Sequence, residues 1–167
     1  VQKYPEIKFI NVDKLDYCSS LKNLSEIETK NNYKFYLADI TDFHMMDKIF
    51  EIEQPDIIMH FAAHTHVDNS FGNSFNFTHN NIYGTHVLLE IAKKYKVQRF
   101  IHVSTDEVYG EFNERAATET SILNPTNPYS ASKAGAEFIA KSYYKSFGLP
   151  LIITRGNNVF GPKQYPE

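Results

Sequence analysis

Cysteine is almost absent: Cys18 is the single one in 167 residues, so no internal disulfide can form. That fits a reducing compartment, and a cytoplasmic location is the expectation. Cys18 itself reads as a small, semi-buried side chain rather than a reactive thiol. Long hydrophobic runs are absent too. None approaches the ~20 residues needed to cross a bilayer, no secretory leader pattern opens the chain, and no membrane partner is expected. Positive charge is not in excess. The net charge is -3 and the pI about 6.2, which argues against a nucleic-acid partner. The one basic cluster, Lys93, Lys94 and Lys96, reads as the solvated end of a helix. Internal repeats, linkers and low-complexity tracts are missing as well.

What remains is an ordinary globular composition, 42% hydrophobic and 22% charged, enough for one domain with a substantial core. Short apolar runs rich in Ile, Val or Phe alternate with longer helical patterns. Strands are expected at Ile7–Val12, Tyr33–Ala38, Ile57–Phe61, Arg99–Ser104 and Leu151–Arg155. Helices are expected at Leu21–Glu28, Asp42–Glu53, Ser74–Tyr95 and Pro128–Phe147, with Thr41-Asp42 capping the second and Gly148-Leu149-Pro150 ending the fourth. Asn80-Asn81, Gly84 and His86 complicate the third. The polar, turn-rich stretch 111–127 should be a surface loop. This order predicts an α/β fold with a doubly wound parallel sheet, which binds ligands beyond the carboxyl ends of its strands. Asp13, Asp39, Ala62-Ala63, Thr105-Asp106-Glu107 and Asn157-Asn158 all fall there.

A glycine-rich turn is also lacking. A dinucleotide-binding sheet normally has one after its first strand, yet no such pattern precedes Asp13. The expectation is that the turn and its strand lie upstream of this chain, so that Asp13 ends the second strand. A carboxylate there can accept both adenosine ribose hydroxyls and repel a 2′-phosphate, which selects NAD over NADP; Asp13 could also simply start a turn. Asp39-Ile40 would sit beside the adenine, although Asp39 could merely open a turn before Thr41. The small side chains of Phe61-Ala62-Ala63 would let backbone approach a ribose–pyrophosphate, or serve tight helix–strand packing.

Tyr129 and Lys133 are four residues apart on an expected helix and share a face. An ammonium near a phenol stabilises the phenolate and lowers its pKa, so Tyr129 could take a proton from a sugar hydroxyl. Thr105 could hydrogen-bond the same oxygen. Asp106 and Glu107 discriminate between reactions. A simple dehydrogenase or epimerase needs no acid or base beyond the tyrosine, whereas elimination of water needs both; a solvated acidic turn is the bland alternative. His60, His64 and His66 cluster in the sequence, but no nearby cysteine or acidic pair completes a zinc site. His64 or His66 is expected to line the substrate cleft, and no metal is expected.

These residues resemble a known family. Asp13-Lys14-Leu15-Asp16-Tyr17-Cys18, His60-Phe61-Ala62-Ala63, Asn81-Ile82-Tyr83-Gly84-Thr85, Ser104-Thr105-Asp106-Glu107-Val108-Tyr109-Gly110, Tyr129-Ser130-Ala131-Ser132-Lys133 and Asn158 to Pro162 are similar to the extended short-chain dehydrogenase/reductases, and within them to the nucleotide-sugar 4,6-dehydratases. The stretch from Thr65 to Phe75 looks most like the UDP-glucose 4,6-dehydratase domain of UDP-rhamnose synthesis. Bacterial dTDP-glucose enzymes usually carry a basic residue at Asn69.

The resemblance implies a Rossmann-like, NAD-binding domain over 1–167, partial in that the first strand, its glycine loop and a C-terminal substrate domain lie outside the chain, and that the isolated piece is inactive. It implies that Asp13, Lys14, Leu15 and Asp16 surround the adenosine ribose, that Asp39 and Ile40 contact the adenine, and that Phe61, Ala62, Ala63 and Thr65 line the ribose and nicotinamide. Tyr129, with Lys133, would be the base at O4, Glu107 would remove the C5 proton and Asp106 would protonate the departing 6-hydroxyl. Thr65, Thr105 and Asn158 would contact a nucleoside-diphosphate glucose. A homodimer through Ser74–Tyr95 and Pro128–Phe147 is also implied. Asn80 and Val159 stand where bacterial members often have Thr and Asn. The alternatives are the same reaction on dTDP-glucose, an epimerase, or a non-catalytic NAD-binding protein.

Overall fold

The computed structural model describes residues 1–111 and 116–165. Part of the expected loop, 112–115, and the last two residues of the expected C-terminal loop lie outside them. All five expected strands form, shifted by a residue or two: β1 Phe9–Asp13, β2 Tyr33–Leu37, β3 Ile57–His60, β4 Arg99–Thr105 and β5 Leu151–Gly156. Every pairing is parallel. β1 pairs with β2, and β4 lies between β3 and β5. No pairing joins β1 to β3 among the described residues, so there are two sheets, not one.

Two expected helices appear almost as read. α1 (Phe43–Glu53) starts at Asp42, whose carboxylate accepts the Met45 N–H at 3.0 Å. α5 (Pro128–Phe147) begins with a reciprocal capping box between Asn127 and Ser130. It ends at Gly148, whose φ of 68° closes the last turn as few other residues can.

The other two expectations need correction. Leu21–Glu28 is not an α-helix. Leu21–Leu24 is a 3-10 turn with no buried residue and no side-chain cap, continued by hydrogen-bonded turns rather than a helix, and a short helix without packing has little to hold it. The long helix Ser74–Tyr95 is broken into α3 (Ser74–Phe77), a π-helical turn Thr78–Tyr83 and α4 (Gly84–Lys94), preceded by an extra short helix, α2 (Val67–Gly72). The π turn buries Asn80 and Asn81. Thr85 donates back to the Asn81 carbonyl at 2.6 Å, the kind of side-chain bond that perturbs a regular ladder, and π turns of this sort recur at functional sites.

The core lies where α1, α4 and α5 meet the sheets. Met46, Leu89, Ile91, Phe100 and Ala140 are all but inaccessible there. The apolar stripe of α4 faces this core. Gly84 is required by close approach, since a Cβ there would stand 2.6 Å from Ile40 Cδ1.

Candidate active site and cofactor cleft

Two regions emerge at the carboxyl ends of the strands. The first is a cleft of about 1030 Å³ between the two sheets, walled by Val12 and Asp13 of β1, Ile57 and Met59 of β3, and the loop from Phe61 to His66. Of the residues expected to hold a dinucleotide, Asp13, Lys14, Asp16, Asp39, Ile40, Phe61, Ala62, Ala63 and Thr65 line it. Leu15 does not. It is the turn residue, held at φ 57°, a left-handed conformation uncommon outside glycine, by the bond from its N–H to Asp13 Oδ1 at 2.7 Å. Both bland readings of the aspartates are also realised, because Asp39 accepts the Thr41 N–H and hydroxyl at 2.8 Å each. These turns aim the carboxylates at the cleft. Ile40 is mostly a core residue, 7% exposed beneath Gly84.

Lys14 ties this region together. Its ammonium lies 3.3 Å from Asp16 and 3.8 Å from Asp39, donates to Asn80 Oδ1 at 3.1 Å and reaches His64 Nε2 at 3.4 Å. Burial, and then the Lys14 charge, push the His64 imidazole below its ordinary range. The Tyr17 N–H holds Asp16 below the usual carboxylate range, with Lys14 adding to the effect. Cys18 also lines the cleft but is exposed. The semi-buried reading is thus corrected. Among the described residues no group of His, Cys, Asp or Glu is placed to hold a metal ion. His60, His64 and His66 line the cleft, and His60 is buried against the Thr85 hydroxyl at 2.8 Å.

The second region is a corner formed by the end of β4, the 3-10 turn Asp106–Tyr109 and the start of α5. Thr105 caps that turn, accepting the Glu107 N–H at 3.3 Å and donating to Asp106 Oδ1 at 3.2 Å. Asn127, the cap of α5, donates to Glu107 Oε2 at 3.1 Å. Both acids are half-buried rather than turned to bulk water. Tyr129, the second residue of α5, is 8% exposed. Burial pushes its phenol up, the Thr105 hydroxyl pulls it partly back, and the Glu107 and Asp106 charges push it up again. Thr105, Asp106, Glu107 and Tyr129 are therefore brought together.

Lys133 behaves differently from its sequence reading. It is buried, 5% exposed, and donates to the Val103 carbonyl at 2.7 Å. Burial brings its ammonium down to about 8, with Glu137 opposing. The expected lowering of the phenol is not found here, because the ammonium is spent on β4 backbone while desolvation acts on the tyrosine. Asn158 stands apart, exposed in the segment after β5, where its N–H donates to Asn157 Oδ1 at 2.7 Å.

Two positioning residues escaped the sequence reading. Asn127 was visible only as polar sequence before a proline. Asn81 is 1% exposed. It accepts the His64 N–H at 2.8 Å and donates to the His64 carbonyl and to Ser132 Oγ at 2.9 Å each. It thereby fixes the cleft loop to the helix that carries Tyr129 and Lys133. Its signal, a buried amide inside an apolar helical pattern, was legible as a complication of that helix and as part of a family motif, without a role.

Comparison with known proteins adds the following. The family model described as GDP-mannose 4,6 dehydratase matches residues 1–167. A "dTDP-D-glucose 4,6-dehydratase" of Dictyostelium discoideum is 56% identical over 99% of this chain and 41% of its own length. A trifunctional protein of Arabidopsis thaliana, whose name begins with UDP-glucose 4,6-dehydratase, is 58% identical over 100% of this chain and 26% of its own. Among solved structures, a dTDP-glucose 4,6-dehydratase of Streptomyces venezuelae with NAD and TYD bound superposes with a TM-score of 0.91 at 39% identity, covering 97% of this chain and 51% of that one. The chain thus spans about half or less of the length of these relatives. With the whole of its length matched and more than half of its residues shared with such relatives, the chain belongs to the GDP-mannose 4,6-dehydratase family.

Proposed function

We propose that the protein containing this chain is an NAD-dependent hydro-lyase that turns a nucleoside-diphosphate glucose into its 4-keto-6-deoxy derivative. The observation that carries this reading is the acid corner: two half-buried carboxylates beside the Tyr129 phenol, close enough for both charges to act on it. A reaction that only oxidises or inverts C4 has no use for them, whereas loss of water across C5 and C6 needs a base and an acid.

The cleft fits a dinucleotide by its chemistry. A strand-end carboxylate at Asp13 suits a ribose diol, and small Ala62 and Ala63 leave room for close backbone approach. Asp13, Lys14, Asp16, Asp39, Phe61 and Thr65 would hold it. When bound, NAD would supply the hydride acceptor for C4 and the hydride source for C6. Tyr129 takes the O4 proton, and Lys133, on the same helical face, is the cation that steadies the phenolate when it turns from Val103. The new 4-keto group acidifies C5, and Glu107, oriented by Asn127, removes that proton and gives it back to C5 once C6 has regained its hydrogen. Asp106 delivers a proton to the 6-oxygen as the C6–O bond breaks, and water leaves. Thr105 hydrogen-bonds O4, and Thr65 and Asn158 contact the substrate.

UDP-glucose is the preferred substrate in this reading, on the route to rhamnose, supported by the Thr65–Phe75 stretch and the 58% identity to the Arabidopsis protein. The second reading is dTDP-glucose, favoured by the 56% identity to the Dictyostelium protein. A homodimer through α4 and α5 accompanies either. The test is incubation of the intact protein with each nucleotide sugar, read by mass. Loss of water from UDP-glucose is expected; loss only from dTDP-glucose selects the second reading. A galactose isomer formed without mass loss would replace both with an epimerase.

A further inference from the structure

One buried ionic cluster bears on that chemistry so far only through the charge of Glu137 on Lys133. Glu137 lies mid-way along α5 with no exposed surface. Arg155, on β5, grips it with both sides of its fork: Nε donates to Oε1 at 2.9 Å and Nη2 to Oε2 at 2.7 Å. Burial pushes the Glu137 carboxyl up, but these bonds reverse it and hold it below its ordinary range. Lys141 adds a contact from the solvent side at 3.2 Å.

Arg155 has a further donor, and it points at the acid turn. Nη1 donates to the Tyr109 hydroxyl at 2.7 Å and to the Glu119 carbonyl at 3.3 Å. The guanidinium carbon lies 4.8 Å from the centre of the Tyr109 ring. Tyr109 is the last residue of the four-residue turn that begins with Asp106 and Glu107. The neighbouring contacts leave that turn little freedom. Val108 is fully buried, and the Asn124 N–H donates to its carbonyl at 3.0 Å. Gly110 leaves the turn at φ 77°, where a Cβ would meet the Asn124 carbonyl oxygen at 2.1 Å.

A buried ion pair is a poor source of net stability, because the desolvation cost consumes most of the attraction. What a bidentate guanidinium offers instead is direction. Here it fixes one phenol relative to both α5 and β5. We infer that Arg155, oriented by Glu137, is a positioning residue that holds the Asp106–Tyr109 turn through the Tyr109 hydroxyl and so sets the aim of the two acids at the C5–C6 bond. The inference rests on the dehydratase reading for its catalytic part. Its structural part concerns the turn alone.

The experiment uses the intact protein with Tyr109→Phe, which deletes one oxygen, and Arg155→Lys, which keeps the charge but not the fork. Rapid-quench mass spectrometry on the nucleotide sugar that the wild type accepts separates sugar oxidised at C4 with its 6-oxygen still present from sugar that has lost water. Loss of a hydrogen bond to a charged group predicts that water loss slows about tenfold in Tyr109→Phe while C4 oxidation slows far less, so the oxidised, undehydrated sugar accumulates. Amide hydrogen exchange at 106–109 should speed up in both variants while exchange in β4 stays at the wild-type rate. An equal slowing of both chemical steps, or unchanged exchange in the turn, overturns the inference. Failure of the wild type to release water from any nucleotide sugar sinks the dehydratase reading instead, and the exchange measurement still decides whether the turn hangs on Arg155.

Discussion

The cleft between the sheets and the corner at the start of α5 are built on opposite principles. The cleft is wide and walled by partly exposed side chains. Its polar groups, Asp13, Asp16, Asp39 and Lys14, are ordered by short local turns and by one another. The corner joins β4 and the turn that continues it to α5, which starts some way along the chain, and is held by bonds that each have a buried or capped partner. A site that must receive a large ligand can leave its walls solvated. One that must move protons in sequence has to fix each acid and base against the rest beforehand.

Glu107→Gln is the substitution that separates them most sharply. On the dehydratase reading, water loss from the sugar should fall by roughly a thousandfold, as expected for removing a general base, with C4 oxidation within a few-fold of wild type. Rapid-quench mass spectrometry of the sugar distinguishes the two steps, and equal loss of both would merge the corner with the cleft. Next in size is Asn81→Ala, which strikes the bolt between the regions. It leaves the His64 N–H and carbonyl without their partner in a half-buried place, while Ser132 keeps its bond to the Tyr129 carbonyl, at about 2 kcal/mol. Chemical denaturation should show that loss, and both dinucleotide affinity and C4 oxidation should decline together. A defect confined to one of them would mean that the regions are independent.

The Lys133 shift gives a pH test confined to the corner. Its pKa is lowered from 10.5 to about 8 by burial. Its ammonium is therefore lost as pH rises through about 8, and C4 oxidation should fall up to about tenfold per pH unit above that. In Lys133→Arg any residual activity should lack this alkaline limb. The sign for stability is the reverse. The depressed pKa makes the charged lysine unfavourable to folding below pH 8, and this cost fades between pH 8 and 10.5. The smallest expected effect is in the cleft. Asp13→Asn should weaken NAD binding about fivefold, by the loss of one charge-assisted bond, and should narrow the preference over a 2′-phosphorylated dinucleotide. Calorimetry measures both, and an unchanged preference would return Asp13 to the role of a turn residue.

The two regions also differ in how legible they were. Thr105, Asp106, Glu107 and Tyr129 could be read as a set because a strand end and a capped helix have fixed local geometry, and the Asn127–Ser130 box starts α5 at the expected residue. Lys133 was read correctly in place and wrongly in partner. Spacing puts it on the Tyr129 face, but only the packing of α5 on β4 brings the Val103 carbonyl within reach. Cys18 and the 21–28 segment were misjudged for a related reason. Pattern suggested burial or a helix, whereas Cys18 is exposed and Leu21–Leu24 buries no residue.

The sequence by itself determined the alternation of parallel strands and helices, the points where α1 and α5 begin, and the set of acids and bases at the strand ends. These follow from backbone periodicity, caps and spacings of a few residues. Tertiary structure alone decided the separation of the strands into two sheets, the π turn that turns Asn81 inward, the bond from Asn127 to Glu107 and the strut from Glu137 through Arg155 to Tyr109. Each of these joins residues on different elements. Their meeting depends on how whole helices pack against whole strands, and no local pattern encodes that.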